Sequence, residues 1–314
     1  VASVELTVDV IVPVYGNWPV TRSCLDSLAA QTLPHRVIVV DDASPDDTLA
    51  QLEAGYPKVQ VLTMERNSGF AAACNRGLRQ ATADVVVLVN NDVEAEATML
   101  EKLIAPFADP AVGSSSPLLL RPDGRIDAFG IAADVTLAGF LRWHGAELDA
   151  VASPDLQLLG PYGAVAAYRG RAIQEVGLLD EGIFMYGEEL DLALRLSAAG
   201  WRPGAAPDAR GVHLGGATAG RGSARQRERA GFGRGYLLRA YGVLHGRHGF
   251  RAFVTEFVVS VGDAILSRDT AAARGRLAGW RAGQAAATRR RYVPDLDRSI
   301  GFLASLRLRT GSRS

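Results

Sequence analysis

Cysteine is nearly absent: 314 residues carry two, Cys24 and Cys74. Both occupy apolar positions in helix-like stretches, so they read as small buried thiols rather than a disulfide or metal pair. A reducing, cytoplasmic setting is therefore expected. Long apolar runs are missing too. No uninterrupted stretch reaches the roughly 18–20 residues a membrane-spanning helix needs, and no basic–apolar–small-residue leader precedes the first strand. The expectation is a chain that is soluble or peripheral at the inner face of the cell membrane. The bias of disordered chains is absent as well. Hydrophobic residues make up 48% and charged residues 22%, as in globular proteins, and the length suits one large domain with an extension.

Net charge is also zero, but the zero hides a segregation. From Arg221 onward there are 19 Arg against 6 Asp and Glu, a surplus of 13 that the preceding residues balance. Such a segment can meet something anionic, such as a phospholipid headgroup, a diphosphate-bearing lipid or nucleic acid, or it can be a solvated set of Arg-rich helices.

What is present is a repeated design. Residues 8–15 (VDVIVPVY), 36–42 (RVIVVDD), 59–64 (VQVLTM) and 84–89 (DVVVLV) are short β-branched runs. Helical patterns at 21–31, 48–55 and 69–81 lie between them. This alternation predicts an α/β fold with a mostly parallel Rossmann-like sheet flanked by helices. In such sheets ligands bind beyond the carboxyl ends of the strands, which directs attention to Tyr15, Asp41, Asp42, Asn67 and the Asn90–Asp92 group. The expected organisation is a domain over 1–220, with halves 1–116 and 117–220, and a basic helical extension over 221–314. That extension should hold helices near 232–244, 251–266 and 270–289 and a frayed tail after Thr310.

Four groups of residues carry chemistry. Asp92, ending Asn90-Asn91-Asp92, can hold a hard divalent cation such as Mg²⁺ or Mn²⁺, or can cap a helix over 93–103. Asp41 and Asp42 are adjacent carboxylates at a strand end, where one can accept bonds from a ligand; the following Ser44 or Asp46 can cap the next helix. Glu188, Glu189 and Asp191 open a helix. The helix dipole favours acids there, and a Glu or Asp can also deprotonate an attacking hydroxyl. His213, before Leu214-Gly215-Gly216, is either a structural histidine or a metal or phosphate ligand. Asn67-Ser68-Gly69-Phe70 is either a plain helix entry or a set of backbone N–H groups open to an anion or a sugar.

In order along the chain, Val10-Ile11-Val12-Pro13-Val14-Tyr15, Val39-Val40-Asp41-Asp42-Ala43-Ser44, Asn67-Ser68-Gly69-Phe70 with Asn75, Leu88-Val89-Asn90-Asn91-Asp92, Gly163-Ala164, Val176-Gly177-Leu178-Leu179-Asp180-Glu181, Phe184-Met185-Tyr186-Gly187-Glu188-Glu189-Leu190-Asp191 and Pro207-Asp208-Ala209-Arg210 leading to His213 resemble the family 2 inverting glycosyltransferases of the GT-A fold, in their rhamnosyltransferase-like branch. The resemblance implies transfer of a sugar, such as rhamnose, from a dTDP- or UDP-linked donor to a glycan, lipid-linked or small-molecule acceptor, in the setting of bacterial polysaccharide biosynthesis. It implies Pro13, Tyr15, Asp41, Asp42, Asn67, Gly69, Asn75, Asn90 and Asn91 around the nucleotide sugar, and Asp92 with His213 at the metal and diphosphate. Glu188, Glu189 and Asp191 would form the catalytic group. Two departures stand out: Asn90 replaces the first acid of the D-x-D motif, and Glu189 stands where the acidic pair often reads Glu-Asp. For the basic helices it implies peripheral membrane contact or a homo-oligomer contact, with no nucleic acid partner. The competing readings are a nucleotidyltransferase, disfavoured because Tyr15-Gly16-Asn17-Trp18-Pro19 offers no cation, and an inactive nucleotide-sugar-binding scaffold.

Overall fold

The computed structural model describes residues 6–152, 157–215, 222–287 and 295–311. In chain order the first half comprises β1 (Val8–Val14), α1 (Trp18–Ala29), β2 (Arg36–Asp41), α2 (Thr48–Gly55), β3 (Gln60–Thr63), α3 (Phe70–Leu78), β4 (Val85–Val89), β5 (Val93–Ala95) and α4 (Met99–Ile104). The second half comprises β6 (Val112–Leu120), β7 (Ile126–Ala128), β8 (Ile131–Ala133), β9 (Gly139–Leu141), β10 (Val165–Arg169), α5 (Gly170–Val176), α6 (Glu188–Ala198), β11 (Arg202–His213), α7 (Ala224–Ala240), α8 (Gly249–Ser267), α9 (Ala271–Ala282) and α10 (Phe302–Gly311).

The main sheet has the order β3-β2-β1-β4-β10-β6-β11-β5, with β7 on β6; β8 and β9 form a separate hairpin. The strands β1 to β4 run parallel, and β6 and β11 share their direction because β10 pairs antiparallel with both β4 and β6. The expected mostly parallel sheet is present.

Alternation along β1 builds two cores. Val10, Val12 and Val14 pack with Cys24, Leu28 and Leu100 on one face, and Ile11 packs with Ile38, Cys74, Leu88 and Leu192 on the other. The two cysteines are thus free, buried and on opposite sides of the sheet. Asp9, a buried acid within β1, takes both Arg36 Nε (2.8 Å) and an Arg36 terminal nitrogen (2.6 Å), so its charge is compensated.

A third core joins Ile183, Leu190 and Leu194 to Tyr236, Leu237, Leu238 and Tyr241, so the boundary expected at 220 does not coincide with a gap in packing. The helix expected at 232–244 begins eight residues earlier, at Ala224, capped by the Ser223 side chain on the Gln226 N–H. Glycines obscured its periodicity. Gly231 and Gly235 of α7 face the Ala272 and Arg276 carbonyls of α9, while Gly275 and Gly279 of α9 face the Glu228 and Phe232 carbonyls of α7; a Cβ at any of the four would overlap the facing oxygen. The helix expected over 93–103 is instead strand β5 followed by α4, so Asp92 caps nothing. α10 ends at Gly311, one residue into the tail expected to fray after Thr310; the rest of that tail and residues 288–289 of the expected 270–289 helix lie outside the described residues. Among the described residues no helix is long and apolar enough to cross a membrane.

Candidate functional site

A cleft of about 860 Å³ opens where β1, β2 and β4 end. Pro13, Tyr15, Asp42, Asn67, Gly69, Asn90, Asn91, Asp92, Glu188, Glu189 and His213 all line it, although they come from points 200 residues apart. Three of the residues expected there, Asp41, Asn75 and Asp191, do not.

The geometry of each exception gives the reason. Asp41 accepts from both the hydroxyl and the backbone N–H of Ser44, whose oxygen in turn accepts the Gly16 N–H at 2.7 Å, so this carboxylate shapes the turn after β2. Asn75 is consumed by the 179–181 loop: its Oδ1 accepts the Leu179 N–H at 3.0 Å, and its amide donates to the Leu179 carbonyl and to Glu181. Asp191 is fully buried against Arg195 Nε (2.9 Å) and the Tyr241 hydroxyl (2.9 Å). Arg195 continues to the carbonyls of Val176, Gly177 and Leu178. Asp191 therefore braces α6 against Arg195 and Tyr241 and does not line the cleft.

The Asn67–Phe70 turn also differs from one of its expected uses. Its N–H groups are not open to an anion: Ser68 and Gly69 donate to the two oxygens of Asp42 at 2.8 and 2.9 Å, and Phe70 donates to the Phe184 carbonyl. Gly69 is required here, since its φ is +91° and a Cβ would run into Phe184. Burial holds the Asp42 carboxyl above its ordinary range despite those two N–H groups, and the charge of Asp41 adds to the rise. Helix capping by Ser44 does not occur; Asp46 accepts the Thr48 N–H at 3.2 Å. Asn91 donates to the Thr21 hydroxyl at 2.8 Å, and Asn67 Oδ1 is buried in the cleft wall with no partner among the described residues.

The acids at the start of α6 are delivered by two successive residues of positive φ, Tyr186 (+72°) and Gly187 (+111°). A tyrosine in this conformation is uncommon, and such strain is found where surrounding structure imposes it. Glu188 is buried, and its Oε2 has no partner among the described residues. Glu189 is half-buried; its Oε2 accepts the Gly187 N–H at 3.0 Å, and its side chain stands about 4 Å from where a side chain on Gly163 would begin. Burial raises both carboxyls, Glu188 well above its ordinary range because the charge of Glu189 adds to the burial.

Across the cleft, His213 links two carboxylates: Nδ1 meets Asp127 at 2.7 Å and Nε2 lies 3.3 Å from Asp92 Oδ1. All three side chains are nearly buried. Burial alone would lower the imidazole, but the hydrogen bonds to Asp127 and Asp92 outweigh it and raise His213 to about 9. Asp127 was not among the residues singled out from sequence, and its only signal was an acid inside the apolar strand Ile126–Ala128. Arg225, Arg227 and Arg229 on the first turns of α7 also line the cleft, as do Tyr162 and His144. The Arg229 guanidinium lies over the Phe184 ring at 4.4 Å and has no carboxylate partner among the described residues.

Among the described residues no three His, Cys, Asp or Glu side chains form a closed metal cage. Mg²⁺ and Mn²⁺ do not need one when phosphates complete the shell, because one or two protein ligands usually suffice. Asp92 with His213 Nε2 meets that requirement, and Asp127 on Nδ1 is the outer partner that orients a ligating imidazole. The donor set fits.

The profile of glycosyl transferase family 2 matches residues 9–175, just over half of the chain, and that of glycosyl transferase family group 2 matches residues 135–273. The chain belongs to glycosyl transferase family 2. Among relatives of this family 2 chain, the O-antigen biosynthesis protein RfbC of Myxococcus xanthus is 28% identical over 66% of this chain and 17% of that protein. The pre-mycofactocin glycosyltransferase of Mycobacterium tuberculosis is 31% identical over 62% of this chain and 40% of that protein. The N-acetylglucosaminyl-diphospho-decaprenol L-rhamnosyltransferase of the same organism is 28% identical over 65% of this chain and 75% of its own length. The chain thus spans well under half of the first two. In fold it is similar to GalNAc-T7 with UDP, GalNAc and Mn²⁺ (TM-score 0.59, 17% identity, 76% of this chain and 50% of that one). It is also similar to the mannosyltransferase PcManGT of Pyrobaculum calidifontis in complex with GDP-Man and Mn²⁺ (TM-score 0.51, 23% identity, 74% and 62%). The GT-A architecture expected from sequence is the one observed.

Proposed function

We propose that this family 2 chain transfers a sugar from a nucleotide-diphosphate donor to an acceptor hydroxyl with inversion, and that Glu189 is the base. The observation that carries this reading is one cleft lined both by Glu189 and by the Asp92–His213–Asp127 chain. A base needs an oxygen that is accessible and positioned. Glu189 is half-buried and lines the cleft with its Oε2 on the Gly187 N–H, whereas the Glu188 oxygen that lacks a partner is sealed from solvent. Burial raises both carboxyls, and the charge of Glu189 adds to the rise at Glu188, so Glu188 is the less favoured of the two as a charged base.

In the reaction, Glu189 Oε1 takes the acceptor's hydroxyl proton as the oxygen forms its bond to the anomeric carbon. The bond from that carbon to the diphosphate breaks on the opposite face, and the nucleoside diphosphate leaves with the electron pair. Asp92 and His213 would hold a divalent cation, which would supply Lewis-acid neutralisation of the developing negative charge. Arg229, poised over Phe184, adds a second positive group at the cleft. Tyr15, Pro13, Asp42, Asn67 and Gly69 form the wall for the nucleoside, where the unpaired Asn67 Oδ1 awaits a donor from the ligand. The relative named N-acetylglucosaminyl-diphospho-decaprenol L-rhamnosyltransferase supports rhamnose as the sugar and a lipid-linked acceptor, with a dTDP- or UDP-linked donor as the nucleotide form of this proposal.

The test is to incubate the protein with dTDP-rhamnose or a UDP-sugar, Mn²⁺ and candidate acceptors, following nucleoside diphosphate release and the anomeric configuration of the product by NMR. Inverted product supports the proposal. Retained configuration contradicts it, and tight donor binding without turnover on any acceptor leaves the inactive scaffold instead.

A further inference from the structure

Helix α8 is inside out. Its buried face carries Gly249, Ala252, Thr255, Glu256 and Asp263, and its exposed face carries Phe250, Phe253, Phe257, Val258, Val261 and Ile265. Three of these are unusually bare, Phe250 at 83%, Ile265 at 70% and Phe257 at 63% exposure. The orientation is enforced from below. Glu256 receives Arg234 (2.8 Å), Arg276 (3.0 Å) and Arg309 (2.8 Å), and Asp263 lies beside Arg227. Rotating the helix to hide its phenylalanines would strand two carboxylates and the three guanidinium groups on Glu256, a cost of several kcal/mol per uncompensated buried ion. A stripe of this kind, exposed by design of the core beneath it, marks a surface that meets a non-aqueous partner.

We propose that this stripe lies in the interface plane of an anionic lipid surface. Charge decides between a membrane and a second copy of the chain. The segment from Arg221 onward carries a surplus of 13 positive charges, and Arg247 and Arg268 stand exposed at the two ends of α8 without an ion pair among the described residues. Pairing this face with its own copy would bring two such segments together, whereas anionic headgroups complement them. Aromatic and aliphatic side chains on one face with arginines at its margins is the composition of an interfacial helix, and no described helix is apolar enough to span. The stripe is also continuous with the cleft. Ser267, the last residue of α8, lines it together with Arg225 and Arg227, directly after the exposed Ile265 and Leu266. Docking therefore sets the mouth of the cleft at the lipid surface. This inference goes beyond the glycosyl-transfer reading and does not depend on it.

The experiment is co-sedimentation of the full chain with phosphatidylcholine vesicles, with and without 30 mol% phosphatidylglycerol (roughly a third anionic lipid, as polybasic surfaces require), at low and high salt. The protein should pellet with the anionic vesicles, more weakly at high salt. Phe253→Ser with Phe257→Ser should lower the partitioning at least about tenfold, while the melting temperature and the affinity for donor nucleotide stay at wild-type values. Failure to bind any vesicle overturns the proposal. So does a concentration-dependent dimer in sedimentation equilibrium that the same double variant abolishes, since the face would then be a self-interface. Loss of donor binding in the wild-type protein would instead count against the glycosyl-transfer reading and leave this one standing.

Discussion

His213 and Asp127 are joined at 2.7 Å through Nδ1, and that bond decides which nitrogen of the imidazole looks into the cleft. With Nδ1 engaged, Nε2 faces Asp92, so the ring is oriented for a shared ligand before any arrives.

Asp127→Asn should therefore lower Mn²⁺ affinity by about 10- to 100-fold, the usual consequence of removing an outer partner of a ligating histidine. Titration calorimetry with Mn²⁺ and nucleoside diphosphate reads this without any turnover. An unchanged affinity would show that Asp127 is only a packing partner.

Glu188 and Glu189 should separate in function. Glu189→Gln is expected to cost about 10²–10⁴ in turnover, the range for loss of a general base, with donor affinity retained. Glu188→Gln keeps the shape of a side chain that takes no proton in this reading and should retain most activity. Equal losses in the two variants would sink the assignment of Glu189.

Asp191 should behave as a brace for α6. Asp191→Ala leaves Arg195 without its carboxylate in a largely buried site, which typically costs about 3–5 kcal/mol. Urea denaturation should show that loss as a lower midpoint, whereas an unchanged midpoint with lost activity would restore Asp191 to the catalytic group.

Stability should fall in acid through Glu256. Burial works to raise this carboxyl, but Arg234, Arg309 and Arg276 outweigh it and depress it far below the ordinary 4.5. A depressed carboxyl contributes stability that is complete above its unfolded value and is lost as pH falls below it towards the folded value. Melting temperatures taken from pH 7 down to pH 3 should drop below about pH 4.5, and Glu256→Gln should start lower at pH 7 and show a flatter acid limb. Parallel curves would contradict the account.

The first half of this fold is open to sequence reading because its strands are short β-branched runs that end in polar turns, and α2 has the bounds that its pattern predicts. Eleven of the fourteen expected site residues line the cleft; most sit at or just after strand ends, where a parallel sheet exposes side chains to a ligand, and Glu188 and Glu189 join them from the start of α6. The three that do not line it are engaged elsewhere. Asp41 is engaged by the neighbouring Ser44 and Asp191 by Arg195 one helical turn on, while Asn75 and the Tyr241 contact of Asp191 depend on segments that only the tertiary structure brings near. Asp127 and Arg229 reach the cleft from a three-residue strand and from a helix beyond residue 220, and neither separation in sequence nor local pattern announces it. The inside-out character of α8 likewise needs the partners of Glu256 and Asp263 to be seen, since its sequence alone shows apolar residues without saying which way they face.

The most direct test of the account is the melting temperature of the purified protein with dTDP-, UDP- and GDP-sugars, each with Mn²⁺, Mg²⁺ or a chelator, in wild type and Asp92→Asn. Ligand that binds only the folded state raises the midpoint by mass action. The account predicts a rise with one nucleotide class that needs the cation and disappears in Asp92→Asn. A rise that persists in chelator and in Asp92→Asn, or no rise with any donor in folded protein, would contradict it.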